Sequence, residues 1–166
     1  MYIPLDKIPL SNFEINTNDD PTLSTISLTI YVAGCTRRCI GCQNKELQIL
    51  TPHNHKMISL HKIKKIIEEK MCLISSVCFC GGDFLPLHYS QLEKLIKFCK
   101  SKNLKTILYT GELFENINEY LRKNIDIIVD GPYDGTKRTN KFPASSNQRC
   151  WINGKLVNVG DLEINK

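Results

Sequence analysis

The chain of 166 residues is the length of one ordinary domain, and its 42% hydrophobic and 23% charged residues match a folded globular protein. No apolar run approaches the ~20 residues that a membrane-spanning helix needs. Residues 1–10 carry prolines and an aspartate rather than a basic segment with an apolar core, which argues against a signal peptide and for a cytoplasmic protein. The net charge of +5 is mild, and its densest basic stretch, residues 61–65, reads as a solvated helix face, so neither nucleic acid nor a membrane is expected as a partner.

The eight cysteines are many for this length. They are unevenly spread, and without a signal peptide a disulfide framework is not expected. Clustered cysteines in a reducing compartment point to metal binding or catalysis.

Taken in order, residues 1–25 read as irregular, with a turn over 16–21. Residues 26–33 alternate and are rich in β-branched types, which predicts a strand. Gly34 ends it. Residues 43–57 are polar and predict loops and short turns. Ser59 is a plausible N-cap for a helix over 60–71, where Leu60, Ile63, Ile66, Ile67 and Met71 share one face. Residues 74–80 predict a second strand, running into Gly81-Gly82-Asp83. Ser90 and Glu93 match a capping box and open a helix to about 102. A third strand over 105–109 ends at Thr110-Gly111. Residues 113–123 predict a third helix, and 125–129 a fourth strand ending at Asp130-Gly131-Pro132. Residues 134–148 read as a loop, and Asn153-Gly154 predicts a hairpin turn between short strands in a tail over 151–166.

Strands alternating with helices predict an α/β fold with a mostly parallel sheet in one domain over 1–166. Ligands of such sheets bind at the carboxyl ends of the strands. The unusual residues fall there: a cysteine loop after strand one, Gly81-Gly82-Asp83 after strand two, Thr110 after strand three and Asp130 after strand four.

Cys35, Cys39 and Cys42 stand at C-x3-C-x2-C spacing, so three thiolates in eight residues can converge on one metal centre. An iron–sulfur cube ordinarily takes four cysteines, and three would leave one iron open to chemistry. The alternatives are a zinc site completed by His53 or His55, or buried free thiols. Cys72, Cys78, Cys80 and Cys99 read as buried small hydrophobes, and neither they nor Cys150 show compact ligand spacing. Arg37 and Arg38 either favour an anionic centre or face solvent.

The cysteine spacing resembles that of the radical S-adenosylmethionine enzymes, and Gly81-Gly82-Asp83 looks like their Gly-Gly-Glu/Asp element. Gly34-Cys35, Cys39, Gly41-Cys42, Asn44, Cys80-Gly81-Gly82-Asp83, Tyr109-Thr110-Gly111, Val129-Asp130-Gly131 and Ser145-Ser146-Asn147-Gln148-Arg149, in that order, resemble the activating proteins of anaerobic (class III) ribonucleoside-triphosphate reductases. Glu112 departs from that pattern, standing where an aromatic residue is common, as does Phe84-Leu85-Pro86.

The resemblance implies an incomplete, open (βα) barrel holding a [4Fe-4S] cluster on Cys35, Cys39 and Cys42. It implies S-adenosylmethionine bound by Gly81, Gly82, Asp83, Thr110 and Asp130. Reductive cleavage of that cofactor to a 5′-deoxyadenosyl radical would place a glycyl radical on the reductase. A flavodoxin- or ferredoxin-type electron donor is the further partner implied. The rival readings are a small radical enzyme acting on a metabolite or peptide, such as one forming a deazapurine by ring contraction, and a zinc-binding adaptor without catalysis.

Overall fold

The computed structural model describes residues 4–140 and 142–158. The expected tail therefore falls partly outside the described residues, at 159–166.

Among the described residues, eight strands form one sheet. They are β1 (Lys7–Asn16), β2 (Ser27–Val32), β3 (Lys56–Ser59), β4 (Ser76–Gly81), β5 (Lys105–Tyr109), β6 (Ile127–Asp130), β7 (Arg149–Ile152) and β8 (Lys155–Val157). Their order across the sheet is β3-β1-β2-β4-β5-β6-β7-β8. The central four, β2-β4-β5-β6, are parallel, and antiparallel pairs flank them on both sides. The result is a mixed α/β fold, parallel at its centre.

Three helices connect the parallel strands: α1 (Leu60–Lys70), α2 (Tyr89–Ser101) and α3 (Glu119–Asn124). Their buried residues, among them Ile63, Ile67, Leu92, Leu95, Ile96 and Leu121, join Leu28, Ile30, Val77, Phe79, Leu108 and Ile128 in one apolar cluster. All three helices therefore cover the same face of the sheet.

The other face follows from the two-residue period of a strand. Registers run Thr29 to Cys78, Cys78 to Ile107, Ile107 to Ile127 and Ile127 to Ile152, making one tier across five strands. The next tier toward the carboxyl ends holds Tyr31, Cys80, Tyr109, Val129 and Cys150. Cys78, Ile107, Ile127, Val129 and Cys150 pack as a second apolar cluster. Burial pushes the Cys150 thiol up to about 11, and that of Cys99, on the buried side of α2, to about 12, so both pack as neutral hydrophobes. Cys72, by contrast, is exposed, and Cys80 is half-buried.

Several expected boundaries shift. Residues 7–16 are a strand rather than irregular chain; Ile8 and Leu10 bury their side chains against β2, and a bulge between Leu10 and Asn12 resets the alternation. Residues 56–59 pair with β1 instead of remaining loop. Ser59 does cap α1, accepting from the Lys62 backbone N–H at 3.2 Å. Ser90 is not a cap: α2 starts one residue earlier, with His88 at the N-cap position. The expected helix over 113–123 divides into a 3-10 turn, Phe114–Asn116, and the short α3, because Asn118 caps α3 through the Leu121 N–H at 2.8 Å. The hairpin at Asn153-Gly154 forms, with both residues at positive φ.

Candidate functional site

The cysteine loop leaves β2 at Gly34 and is tied to the sheet by backbone bonds on both sides. Gly34 and Cys35 N–H groups donate to the Leu47 and Gln48 carbonyls at 2.7 and 3.0 Å, and the Asp83 N–H donates to the Gly34 carbonyl at 3.0 Å. The Gly82 N–H donates to the Val32 carbonyl at 2.6 Å, and Asn44 Nδ2 donates to the Gly81 carbonyl at 3.0 Å. This contact explains the two glycines. Gly81 has φ +110, and a Cβ on it would lie 2.5 Å from the Val32 carbonyl oxygen. A Cβ on Gly82 would lie 2.3 Å from the Gly34 carbonyl oxygen. The glycines thus let the turn after β4 pack directly on the base of the cysteine loop.

The far side of the loop rests on residues 133–135. The Gly135 N–H donates to the Ile40 carbonyl at 2.8 Å, and a Cβ on Gly41 would stand 3.3 Å from the Gly135 Cα.

Together these segments wall a cavity of about 350 Å³ at the carboxyl ends of the parallel strands. Cys35, Cys39 and Cys42 line one side, and Gly81, Gly82, Asp83, Thr110 and Gly111 line another. Tyr31, Cys80, Tyr109 and Val129 form the floor, joined by Asp19, Phe142 and Gln148. Among the expected site residues, then, the three cysteines, Gly81, Gly82, Asp83 and Thr110 come together.

Asp130 does not join them. It follows Val129 on β6 and so points to the opposite, helix-covered face. Its buried carboxylate accepts from the Phe114 N–H at 2.7 Å, from Trp151 Nε1 at 3.1 Å, and from the Arg149 guanidinium. Arg149 in turn reaches Glu115, and Trp151 stacks on Phe114 with centroids 3.9 Å apart. Asp130 is the centre of a structural clasp between β6, β7 and the 114–116 turn.

Asp83 and Thr110 line the cavity, yet their polar atoms are largely engaged with the protein. Asp83 is 1% exposed. Its Oδ1 accepts from the Leu85 N–H and the Thr110 hydroxyl, at 2.9 and 2.8 Å. Its Oδ2 accepts from the Gly111 N–H and Arg37 Nε, at 2.9 and 3.1 Å. Burial pushes the carboxyl up while these four donors pull it down. Arg37, inside the cysteine loop, also bonds Glu112 Oε2 at 2.8 Å. Its burial works against the charge, but Asp83 and Glu112 outweigh it and hold the guanidinium firmly protonated.

The cysteines receive backbone donors. The Arg37 N–H points at Cys35 Sγ at 3.3 Å, and the Tyr133 N–H at Cys39 Sγ. Burial pushes both thiols up, and these N–H groups oppose it by favouring the thiolate. Among the described residues, no three His, Cys, Asp or Glu side chains are gathered closely enough to hold a single metal ion. His53 and His55 do not line the cavity.

Arg37 as a bridge and Tyr31 and Asp19 as lining residues escaped the reading by motif, while Tyr109 and Gln148, which stand within quoted motifs, carried no assigned role there. The strand period carries the signal for two of them: Tyr31 and Tyr109 are in phase with Cys78 and Ile107, and Asp130 is out of phase. No local signal marks the Arg37 bridge, which joins residues 46 and 75 positions away.

No helix among the described residues is long and apolar enough to cross a membrane. The family model described as "4Fe-4S single cluster domain" matches residues 25–151. The anaerobic ribonucleoside-triphosphate reductase-activating protein of Enterobacteria phage T4 is 28% identical over 132 residues, covering 76% of this chain and 83% of that protein. The protein of the same name from Pasteurella multocida is 27% identical over 124 residues, covering 66% of this chain and 75% of its own length. The crystal structure of QueE from Escherichia coli superposes with a TM-score of 0.55 at 12% identity, covering 82% of this chain and 62% of that one, a likeness of fold. The resemblance carried by the cysteine spacing and the glycine turns is thus matched by relatives bearing the name it implied. With the model spanning most of its length, the chain belongs to the 4Fe-4S single cluster domain family.

Proposed function

We infer that this protein is a radical S-adenosylmethionine activating enzyme that generates a glycyl radical on an anaerobic ribonucleoside-triphosphate reductase. The observation that carries this reading is the convergence of Cys35, Cys39 and Cys42 with the Gly81-Gly82-Asp83 and Thr110-Gly111 turns on one cavity. Its volume of about 350 Å³ falls within the usual range for small-molecule sites. Helices on one face and the cysteine- and tyrosine-lined tier on the other support an incomplete, open (βα) barrel whose inside is the cavity. All eight cysteines are free thiols, which fits a reducing cytoplasm.

The donor set fits a cube better than a zinc ion. Zinc bound to sulfur at 2.3 Å would draw its thiolates to within about 3.8 Å of one another. A cube gives each thiolate its own iron and spreads them further, which is compatible with three thiolates that are not drawn together as a single ion would draw them. The backbone N–H groups on Cys35 and Cys39 are the kind of donor that tunes iron–sulfur centres.

When bound, the reduced cluster and S-adenosylmethionine supply a 5′-deoxyadenosyl radical that takes a hydrogen atom from a glycine of the partner. The chain's own residues do the rest. Cys35, Cys39 and Cys42 would hold the cluster at the wall of the cavity. Gly81 and Gly82 bring the turn after β4 against the loop, where its backbone would receive S-adenosylmethionine. Asp83 and Thr110 act as the bracket that fixes this turn. Tyr31, Tyr109 and Phe142 wall the far end and keep water from a reactive intermediate. Electrons come from a flavodoxin- or ferredoxin-type donor in this reading.

Anaerobic reconstitution with iron and sulfide tests it. A brown protein with about four irons and four sulfides per chain, forming 5′-deoxyadenosine on reduction with S-adenosylmethionine, is the expected result. Cys35→Ala abolishes both. A colourless protein that takes up zinc and no sulfide would overturn it.

A further inference from the structure

Arg37 lies between the first two cysteines of the loop, but its side chain belongs to a larger assembly. Its Nε reaches Asp83, on the turn after β4, and its Nη2 reaches Glu112, on the turn after β5. Its own backbone sits on the loop after β2, where its N–H touches Cys35 Sγ at 3.3 Å. One guanidinium thus spans the carboxyl ends of three parallel strands. Asp83 ties the same three segments through the Thr110 hydroxyl and the Gly111 N–H.

Gly111 is an independent mark of the same arrangement. A Cβ there would lie 2.2 Å from Arg37 Cδ and 2.6 Å from Arg37 Nε. The turn after β5 is bare so that the arginine can cross it. Glu112 receives the far end of the guanidinium and is itself held by Asn116 Nδ2 at 3.1 Å.

The geometry points to Arg37 as a positioning residue for cofactor binding, one that holds the cysteine loop in register with the two turns that receive S-adenosylmethionine. This rests on the function proposed above. A cofactor that would be held between the cysteine loop and these turns binds well only if the two are kept at a fixed separation, and a misplacement of about 1 Å is costly. The planar, two-pronged guanidinium suits a bridge between two carboxylates, and a lysine would not replace it.

The test compares the parent with Arg37→Ala, Arg37→Lys, Gly111→Ala and Glu112→Gln after anaerobic reconstitution. Three properties are measured: iron and sulfide content, S-adenosylmethionine affinity by calorimetry, and the paramagnetic resonance spectrum of the reduced cluster as the cofactor is added. All variants keep their cysteines and are expected to keep the parent's iron. Arg37→Ala, Arg37→Lys and Gly111→Ala lose at least about tenfold in cofactor affinity, and the spectral change on adding it shrinks with them. Glu112→Gln, which removes only the outer anchor, loses less, and adding it to Arg37→Ala costs nothing further. Affinity within about twofold of the parent in Arg37→Ala and Gly111→Ala overturns the inference. So does loss of affinity that merely follows loss of iron. A parent that forms no cluster, or whose spectrum ignores the cofactor, refutes the proposed function instead, which keeps the two failures apart.

Discussion

Gly82 has no room for a side chain, because the Gly34 carbonyl oxygen would stand 2.3 Å from its Cβ. Gly82→Ala must push the cysteine loop off the turn after β4, at a cost of roughly 1–3 kcal/mol. Denaturant titration of the apoprotein reads that loss directly. His88 makes a different demand on stability. It is fully buried, neither ring nitrogen has a hydrogen-bond partner, and burial alone pushes its pKa down to about 4. The unfolded chain, with a histidine near 6.5, binds a proton that the folded chain refuses. Stability is therefore full above pH 6.5 and falls as the pH drops toward 4, by up to about 3 kcal/mol. The buried Asp20, held near 2 against its burial by Thr22, Thr25 and Lys105, loses its contribution only below the ordinary carboxylate range. Thermal midpoints of the parent and His88→Leu across pH 5–7 separate the two: the variant's curve slopes less than the parent's. Asp130 gives the clearest contrast between support and site. Asp130→Asn breaks the clasp with Arg149 and costs on the order of 2 kcal/mol. Cofactor affinity per folded molecule stays at the parent's value, because the carboxylate faces away from the cavity; a tenfold loss would mean that it reaches the cofactor after all.

At the scale of elements, the long periodic segments were legible and the short ones were not. α1 announced itself through Ser59 and the Ile63–Ile67 face, and removing the cap by Ser59→Ala should cost about 1 kcal/mol. For a domain of this size, that lowers the thermal midpoint by about 2–4 °C, and no change would mean that the Lys62 N–H finds another acceptor. The parallel strands were legible because their apolar runs are buried on both faces. β1 was not. Pro9 and Asn12 obscure its pattern, the bulge shifts its phase, and its partner β2 lies 15 or more residues away in sequence through most of the ladder. β3 is four residues long and exists only because β1 offers an edge. The third helix was overextended because Leu113, Phe114, Ile117 and Leu121 mimic one apolar stripe. In the fold, Phe114 serves the Trp151 stack, while Leu121 serves the helix-covered core.

For the whole molecule, the central fact is that motifs scattered over about a hundred residues meet at one end of a sheet. The cysteines and both glycine turns were legible as candidate site residues because their spacing is unusual. Their convergence followed from the rule that parallel strands present ligands at their carboxyl ends. What the sequence hid is the wiring between them. The Arg37 bridge and three of the four donors to Asp83 depend on contacts 27 to 75 residues apart. Asp130 lies on the other face of the sheet, and a motif, which names a position, says nothing of the face a strand turns. The account's central claim is that this cavity prepares a radical for a glycine of a partner protein. The most direct measurement mixes the reconstituted, reduced protein and S-adenosylmethionine with an anaerobic ribonucleoside-triphosphate reductase and records the electron paramagnetic resonance spectrum. A glycyl doublet that appears with the parent and is missing with Cys39→Ala is the result the account predicts. Cofactor cleavage that proceeds at full extent with no doublet would contradict it.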